Sequence, residues 1–282
     1  MVKSAIAGVI VLAAYSVARA EDKSEFNLFH PTPPSLMREL NTDRPDKTES
    51  PYTIDAGHVQ VEMDFVSYSY DRNNPKHAAR RVQELNFLST NFKIGLLNNV
   101  DIQVVSENFL WVREEDLAAD RANETTGVGD TTLRLKINFW GNDGGKSAFG
   151  VMPFVTLPTA SAGLGVEDAE FGVILPLAVE LPHGFSLGAM SEFDWVRDER
   201  DDLNFVWVNS ATLGHEIVKN VEAYAEIFTA IDPDRTYAAE ITADFGVTWK
   251  VDEDVQLDAG VNIGVTREAE DWNPFVGISI RY

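Results

Sequence analysis

The sequence predicts an all-β fold: a transmembrane antiparallel β-barrel of about twelve strands, preceded by an N-terminal periplasmic or plug-like segment. Three observations predict it. Apolar and polar residues alternate with period two over segments of ten residues or more. The connectors between these segments alternate between short and long. The chain also opens on an export signal. Strands of soluble proteins run most often to about 5–6 residues, so longer alternation points to strands that cross a bilayer.

The export signal occupies residues 1–20. Lys3 supplies the positive start, Ala5 to Val17 an apolar stretch, and Ala18-Arg19-Ala20 a small-residue cleavage site after Ala20. The apolar stretch is shorter than the ~20 residues of a spanning helix, and no later segment is apolar enough for one. An exported chain with a membrane role must then cross with strands. That places it in the outer membrane of a Gram-negative bacterium.

The alternation is plainest toward the C-terminus. Val255, Leu257, Ala259, Val261, Ile263 and Val265 interleave with Gln256, Asp258, Gly260, Asn262, Gly264 and Thr266. Twelve such segments fall near 57–70, 80–97, 100–112, 126–140, 146–158, 168–181, 185–197, 203–217, 221–232, 236–250, 255–266 and 272–282. Short turns include Asn98-Asn99, Pro182-His183-Gly184 and Lys219-Asn220, residue types that preset a turn or tolerate positive φ. Longer connections lie near 71–79, 113–125, 159–167, 198–202, 232–235 and 267–271. An even strand count returns both termini to the periplasm, and closure leaves no unpaired strand edge in lipid. Residues 57–282 are thus the barrel, and 21–56 a proline-rich N-terminal segment. Two regions keep an imperfect register. Leu85 and Phe87 fall on the opposite face from Phe92 and Ile94, and Asn209 stands among apolar neighbours; a β-bulge would reset each.

The two faces tell which solvent each meets. One is apolar along nearly its whole length, and Trp140, Trp195, Trp249, Trp272 and Tyr282 stand near segment ends, where interfacial girdles form. The other face is polar, and it predicts a lumen lined by Glu62, Asp130, Arg134, Lys136, Glu170, Glu192, Asp194, Glu222, Glu226, Glu240, Asp244, Asp258 and Arg281. The 282-residue chain carries 45 acidic against 23 basic residues, a net charge of −22, and no cysteine. That balance excludes a nucleic-acid binder, and the missing thiols exclude disulfides, thiolate metal centres and a Cys nucleophile. An acidic passage would favour cations. Alternatively the charges pair across strands and fill a narrow barrel. Acidic loop clusters at Glu114-Glu115-Asp116, Asp198 to Asp202 and Glu268 to Asp271 lack metal-loop spacing and read as solvated. No metal or cofactor is expected.

Two stretches carry a family resemblance. The C-terminal Phe275-Val-Gly-Ile-Ser-Ile-Arg-Tyr282 is similar to the assembly signal of outer-membrane barrels through Gly277, Ile280 and Tyr282, with Phe275 where a polar residue is commoner. The stretch from Asn41 to Thr53, continued by Gly57 to Glu62, resembles the opening of the outer-membrane transporter family labelled for the meta pathway of phenol degradation. The matching positions are Thr42, Asp43, Arg44, Pro45, Thr48, Ser50, Pro51, Thr53, Gly57, Gln60 and Glu62, with Ile54 replacing the common valine. The first resemblance implies contact with outer-membrane lipid and the barrel assembly machinery. The second implies a transporter for small solutes, with hydrophobic or aromatic compounds as the suggested class.

Residues 41–56 are expected either to fold into the periplasmic mouth or lumen, with Arg44 pairing to Glu62, Glu222 or Glu240, or to form a loose leader. The favoured function is a monomeric passive channel for small solutes. A non-conducting structural barrel is the alternative. A membrane-embedded lipid hydrolase would need a Ser–His pair on the outward face, and neither His58 nor His215 has Ser two positions away.

Overall fold

The computed structural model describes residues 22–72, 74–77, 80–197, 203–233 and 238–282. The predicted export signal and the Asp198 to Asp202 cluster lie outside the described residues. The strands in chain order are β1 (Val59–Asp71), β2 (Arg81–Phe87), β3 (Thr90–Leu97), β4 (Val100–Ser106), β5 (Phe109–Asp116), β6 (Arg121–Gly127), β7 (Thr131–Trp140) and β8 (Ser147–Leu157). They continue with β9 (Glu170–Glu180), β10 (Phe185–Arg197), β11 (Leu203–Val218), β12 (Val221–Ile231), β13 (Glu240–Lys250), β14 (Val255–Gly264) and β15 (Trp272–Arg281).

All neighbours pair antiparallel, and β15 returns to β1 with Gln60 opposite Arg281 and Tyr70 opposite Trp272. The closed ring is β1, β3, β4 and β7 to β15, twelve strands. Closure satisfies the backbone groups that an open sheet would leave bare in hydrocarbon.

Three predicted segments are each broken in two. The breaks fall at Leu88-Ser89, Glu107-Asn108 and Val128 to Asp130, side by side across the wall. Leu88 turns the chain at a φ of 59°. Asn108 Nδ2 bridges the gap to Thr90 Oγ1 at 3.0 Å, and the Asp64 N–H reaches the Ser89 carbonyl at 2.9 Å. The register conflict between Phe87 and Phe92 is resolved by this break, which lets both stay exposed on the outer surface.

Above the breaks, β2, β5 and β6 continue from the upper half of β1 as a polar extension of the sheet beyond the ring. The expected long loop near 113–125 is therefore mostly strand, with only residues 117–120 turning between Asp116 and Arg121. Below that extension, the connection after β8 closes onto the wall. Ser161 N–H donates to the Val128 carbonyl at 2.9 Å. Asp130 accepts the N–H groups of Thr159, Ala160 and Val166 at 2.8, 2.9 and 2.6 Å.

The short turns are those the sequence predicts. His183 and Asn220 adopt positive φ of 66° and 65°. Aromatic girdles mark both membrane interfaces. Phe171 stacks on Trp195 at 5.5 Å and Tyr68 meets Trp272 at 5.4 Å near the outer end. Near the periplasmic end, Trp140 packs on Phe149 at 5.0 Å and Phe185 on His215 at 4.3 Å. Between the girdles the outward face carries Leu133, Leu135, Leu213, Ile227, Phe245, Val247 and Val276, all exposed as a lipid-facing surface requires.

Asp130 thus staples a loop to the wall. Asp130→Ala removes an acceptor of three backbone bonds, each worth about 1.5–3 kcal/mol when the acceptor is charged. The expected outcome is rapid protease cleavage within 158–169 in a barrel that still resists heat in SDS; a loop as resistant as wild type would refute the staple.

Candidate functional site: a plug bonded across the lumen

The N-terminal segment does not hang free. Residues 41–55 run up into the barrel and cross it, and their side chains interlock with inward-facing residues on nearly every wall strand.

The tightest contact is a cluster of buried charges. Lys93 on β3 and Lys136 on β7 point inward, each about 1% exposed. Their ammonium groups converge on the Asp43 carboxylate, with Lys136 at 2.5 and 2.8 Å and Lys93 in direct contact. Lys93 also contacts Glu62 of β1, which accepts the Asp43 N–H at 3.1 Å and Gln60 Nε2 at 2.7 Å. Burial favours the neutral form of the Asp43 carboxyl, but the two ammonium groups outweigh it and hold this carboxyl far below the ordinary range.

Arg44 makes the second anchor. It bonds Asp64 at 2.7 Å and spans Asp258 with two bonds of 2.7 and 3.2 Å. Its guanidinium carbon lies 5.7 Å from the centre of the Phe275 ring. The pairing expected from sequence was with Glu62, Glu222 or Glu240, and this is corrected. Glu62 is taken by Lys93 and the Asp43 backbone, Glu222 accepts from Ser186 at 3.1 Å, and Glu240 pairs with Lys76 at 2.6 Å. Strand stagger decides this: Asp64 and Asp258 lie across from one Gly277, and a Cβ at that glycine would collide with Arg44.

The tip of the plug reaches the opposite wall. Lys47 Nζ donates to Thr242 at 3.1 Å, stands 3.8 Å from Asp244, and lies 4.4 Å above the Phe228 ring. Thr48 meets Ser210 at 2.6 Å, and Glu226 accepts the Lys47 N–H at 2.9 Å. Glu49 pairs with Arg134 at 2.6 Å while its N–H points at the Met190 sulfur, 3.4 Å away. Nearer the periplasm, Asn138 donates to the Pro51 carbonyl and Asp101 accepts from Ile54. Lys23 and Arg38 bond Asp143 in a periplasmic turn at 2.8 and 3.4 Å. Asp143 is burdened by partial burial, yet Lys23, Asn98 and Arg38 lower it below the usual carboxylate range.

The predicted lumen set is therefore distributed. Glu62, Arg134, Lys136, Glu226, Asp244 and Asp258 bind the plug directly. Glu192 and Asp194 share the inward face of β10 with Met190. Asp130 holds a loop, Glu170 accepts the Arg197 N–H at the outer rim, and Arg281 bonds Asp254 and the Arg38 carbonyl at the periplasmic rim. Of the family-motif residues, Thr42 accepts from Gln256, Gln60 donates to the Asn41 carbonyl, and Ser50 N–H donates to Asp43. His58 Nε2 lies 2.7 Å from the Thr32 carbonyl. Among the described residues no cluster of His, Asp and Glu forms a metal site.

One feature of the lumen escapes the polar-face reading. Met152, Ile174, Met190 and Val208 face inward and pack together, with Phe154, Val206, Phe228 and Ala230 against them. They form an apolar wall on β8 to β12, level with the plug tip. The signal was present as runs apolar on both faces, such as Val173-Ile-Leu-Pro-Leu-Ala-Val179. Below the tip a cavity of about 770 Å³ separates the plug from the periplasmic ends of β9 to β13, lined by Tyr52, Glu180, Ser186, Thr212, Tyr224 and Lys250 among others.

The two sides of the plug are held unequally. Asp43→Ala would leave the buried Lys136 ammonium without its bonded carboxylate and Lys93 with Glu62 alone, and is expected to lower barrel stability by about 3–5 kcal/mol. Arg44→Ala is expected to raise single-channel conductance and lower the thermal transition; unchanged values for both would refute the seating of the plug. On the far side, barrel enclosure and the nearby Glu226 carboxylate push Asp46 well above the ordinary carboxylate range. Its protonated form therefore fits the seat, which is intact in acid and weakens as pH climbs through the raised value. Conductance should rise with pH, and Asp46→Asn should flatten the profile.

Residues 42–282 match the model of the family described as "Putative MetA-pathway of phenol degradation". No curated sequence matches the chain. Among solved structures, the COG4313 outer membrane channel from Pseudomonas putida F1 is similar with a TM-score of 0.61 at 13% identity, over 86% of this chain and all of that one. The KdgM porin gives a TM-score of 0.45 at 10% identity over 78% of this chain and 98% of that one. The CymD monoaromatic hydrocarbon channel gives 0.43 at 10% identity over 79% and 87%. The first likeness independently establishes the outer-membrane barrel fold, and the match over residues 42–282 shows that this protein belongs to the family so described.

Proposed function

We propose that this chain is a passive outer-membrane channel for small apolar solutes, with residues 1–20 a cleaved export signal, 21–56 a lumenal plug and 57–282 the conducting barrel. The observation that supports it is the inward apolar wall of Met152, Ile174, Met190 and Val208 beside the plug tip. These side chains are buried against one another and beside the plug, so an apolar solute would meet them as it displaces the plug tip from this wall. Arg44, Lys47, Lys93, Arg134 and Lys136 pair with Asp64, Asp244, Asp43 and Glu49, which leaves an excess of acidic groups that an uncharged solute can pass. An aromatic ring suits this wall, because Phe154 and Phe228 offer edges and faces to it.

The two strand histidines are engaged in packing and backbone contacts. His215 is stacked on Phe185 and bonded to the Gly184 carbonyl at 3.0 Å, and His58 is held at the periplasmic rim. The terminal Tyr282 exchanges backbone bonds with Val59 at 2.7 and 3.1 Å, which seals the ring and accords with a signal read by the assembly machinery.

The test is solute flux into liposomes loaded with the refolded mature protein, alongside planar-bilayer conductance. A phenol-sized aromatic solute should enter faster than a sugar of similar mass. Ile174→Asp should reduce aromatic flux on the order of tenfold while leaving small-ion conductance equal or higher, since a buried charge repels an apolar solute at a cost of a few kcal/mol. Neither flux nor conductance in any condition would favour the structural reading.

A further inference from the structure

The outward face of the wall carries a polar row where hydrocarbon is expected. Ser191 on β10, Asn209 on β11 and Thr229 on β12 are direct cross-strand partners. Their inward neighbours Met190, Val208, Ser210 and Phe228 belong to the lumen, so these three point to lipid. The row lies between the girdles. On β10, Trp195 stands four residues above Ser191 and Phe185 six below; on β11, Phe205 and His215 bracket Asn209 in the same way.

The row is partly satisfied. Ser191 Oγ donates to Asn209 Oδ1 at 2.9 Å and accepts from Trp207 Nε1 at 2.9 Å, and Thr229 Oγ1 donates to the Asn209 carbonyl at 3.2 Å. The amide nitrogen of Asn209 has no acceptor among the described residues. A second outward polar row, Thr90, Ser106 and Thr131, behaves differently. There Thr90 bonds the Leu88 carbonyl, Ser106 bonds Asn108 and Thr131 bonds Thr159, so its hydroxyls are consumed locally.

Lipid tails supply no acceptor for two N–H donors, and an unmet polar group in hydrocarbon costs several kcal/mol. A second copy of this chain does supply one. Two copies in one membrane share the same up–down orientation, so a two-fold axis relating them runs along the membrane normal. On such an axis the row faces itself, and Asn209, its central member, meets Asn209. Each Oδ1 has one lone pair engaged by Ser191 and one free. The two carboxamides can therefore exchange reciprocal Nδ2–H to Oδ1 bonds. Just beneath, Ala189 faces Ala211 across the strands, and these small side chains leave room for the walls to approach. We propose that the β10 to β12 face is a dimer interface between two copies of this chain, keyed by a reciprocal Asn209 amide pair.

The chain has no cysteine, so one introduced thiol reports one contact. In oxidised outer-membrane vesicles, Asn209→Cys should give a disulfide-linked dimer and Leu135→Cys, outward on β7 four strands away, should not. Sedimentation in density-matched detergent should show a wild-type dimer, and Asn209→Leu should weaken it on the order of tenfold, with heat-modifiable migration showing that the variant still folds. A wild-type monomer at every protein-to-detergent ratio would overturn the proposal. So would equal cross-linking at positions 135 and 209, or a folded Asn209→Leu variant that dimerises as wild type does.

Discussion

Lys93 and Lys136 determine how the rest of this molecule must be built. Both extend from the wall into a desolvated space, where the wall itself offers Glu62 in contact with Lys93 and Asp101 across the strands from Lys136. A buried ammonium is tolerable only with a close counter-charge. Asp43 supplies it from outside the sheet, so the barrel is electrostatically incomplete until residues 41–55 enter the lumen. The segment is in this sense the missing part of the wall, and its conformation follows from where the two lysines meet.

The remaining anchors follow the same economy of cations. The chain has 23 basic residues for 45 acidic ones, and the plug contributes Arg44 and Lys47 to inward carboxylates that would otherwise face one another unpaired. Asp64 and Asp258 share one guanidinium, and Asp244 lies near one ammonium. Against β10 to β12 the balance reverses. There Asp46 approaches Glu226 and Glu49, and the contacts are hydrogen bonds from Lys47 N–H and Thr48 to Glu226, a hydroxyl pair, a thioether and an aromatic face. The plug is held by ion pairs to β1, β3, β7 and β14 and by hydrogen bonds to β11, β12 and β13. Its other end is held as well, because Lys23 and Arg38 grip the periplasmic turn at Asp143 and β1 continues directly from Gly57. This double attachment ties the plug to the periplasmic rim at both of its ends.

Much of the barrel was readable from period-two alternation, because lipid outside and charge inside impose opposite demands on successive residues. The ring of twelve, the periplasmic turns at His183 and Asn220, and the girdle residues all come from that rule. The broken strands were legible only as a register slip between Phe87 and Phe92. Alternation can show that a slip exists, but not that three adjacent strands slip at one level and carry a polar extension above. The partners of Arg44 were not legible, since they depend on stagger between strands some two hundred residues apart. The apolar lumen wall was hidden for a different reason. Residues such as Ile174 and Met190 violate the alternation, and a rule that sorts faces by polarity reads them as noise.

The two sequence signatures lie at opposite ends of the chain, and each accounts for an oddity in the other. The glycine of the C-terminal assembly signal, Gly277, is where the guanidinium of the motif's Arg44 passes so closely that no side chain fits. Phe275, which departs from the polar residue common at its position, turns its ring inward beneath the same guanidinium at 5.7 Å. An aromatic face stabilises a cation without adding a third carboxylate to Asp64 and Asp258, whose mutual repulsion one arginine must already offset. A polar residue there would either compete for the arginine or leave its upper surface bare. The C-terminal strand of this barrel is thus shaped by two demands, closing the sheet against β1 through Tyr282 and receiving the plug through Phe275 and Gly277. A terminal strand misplaced by one residue would exchange its faces and lose both at once.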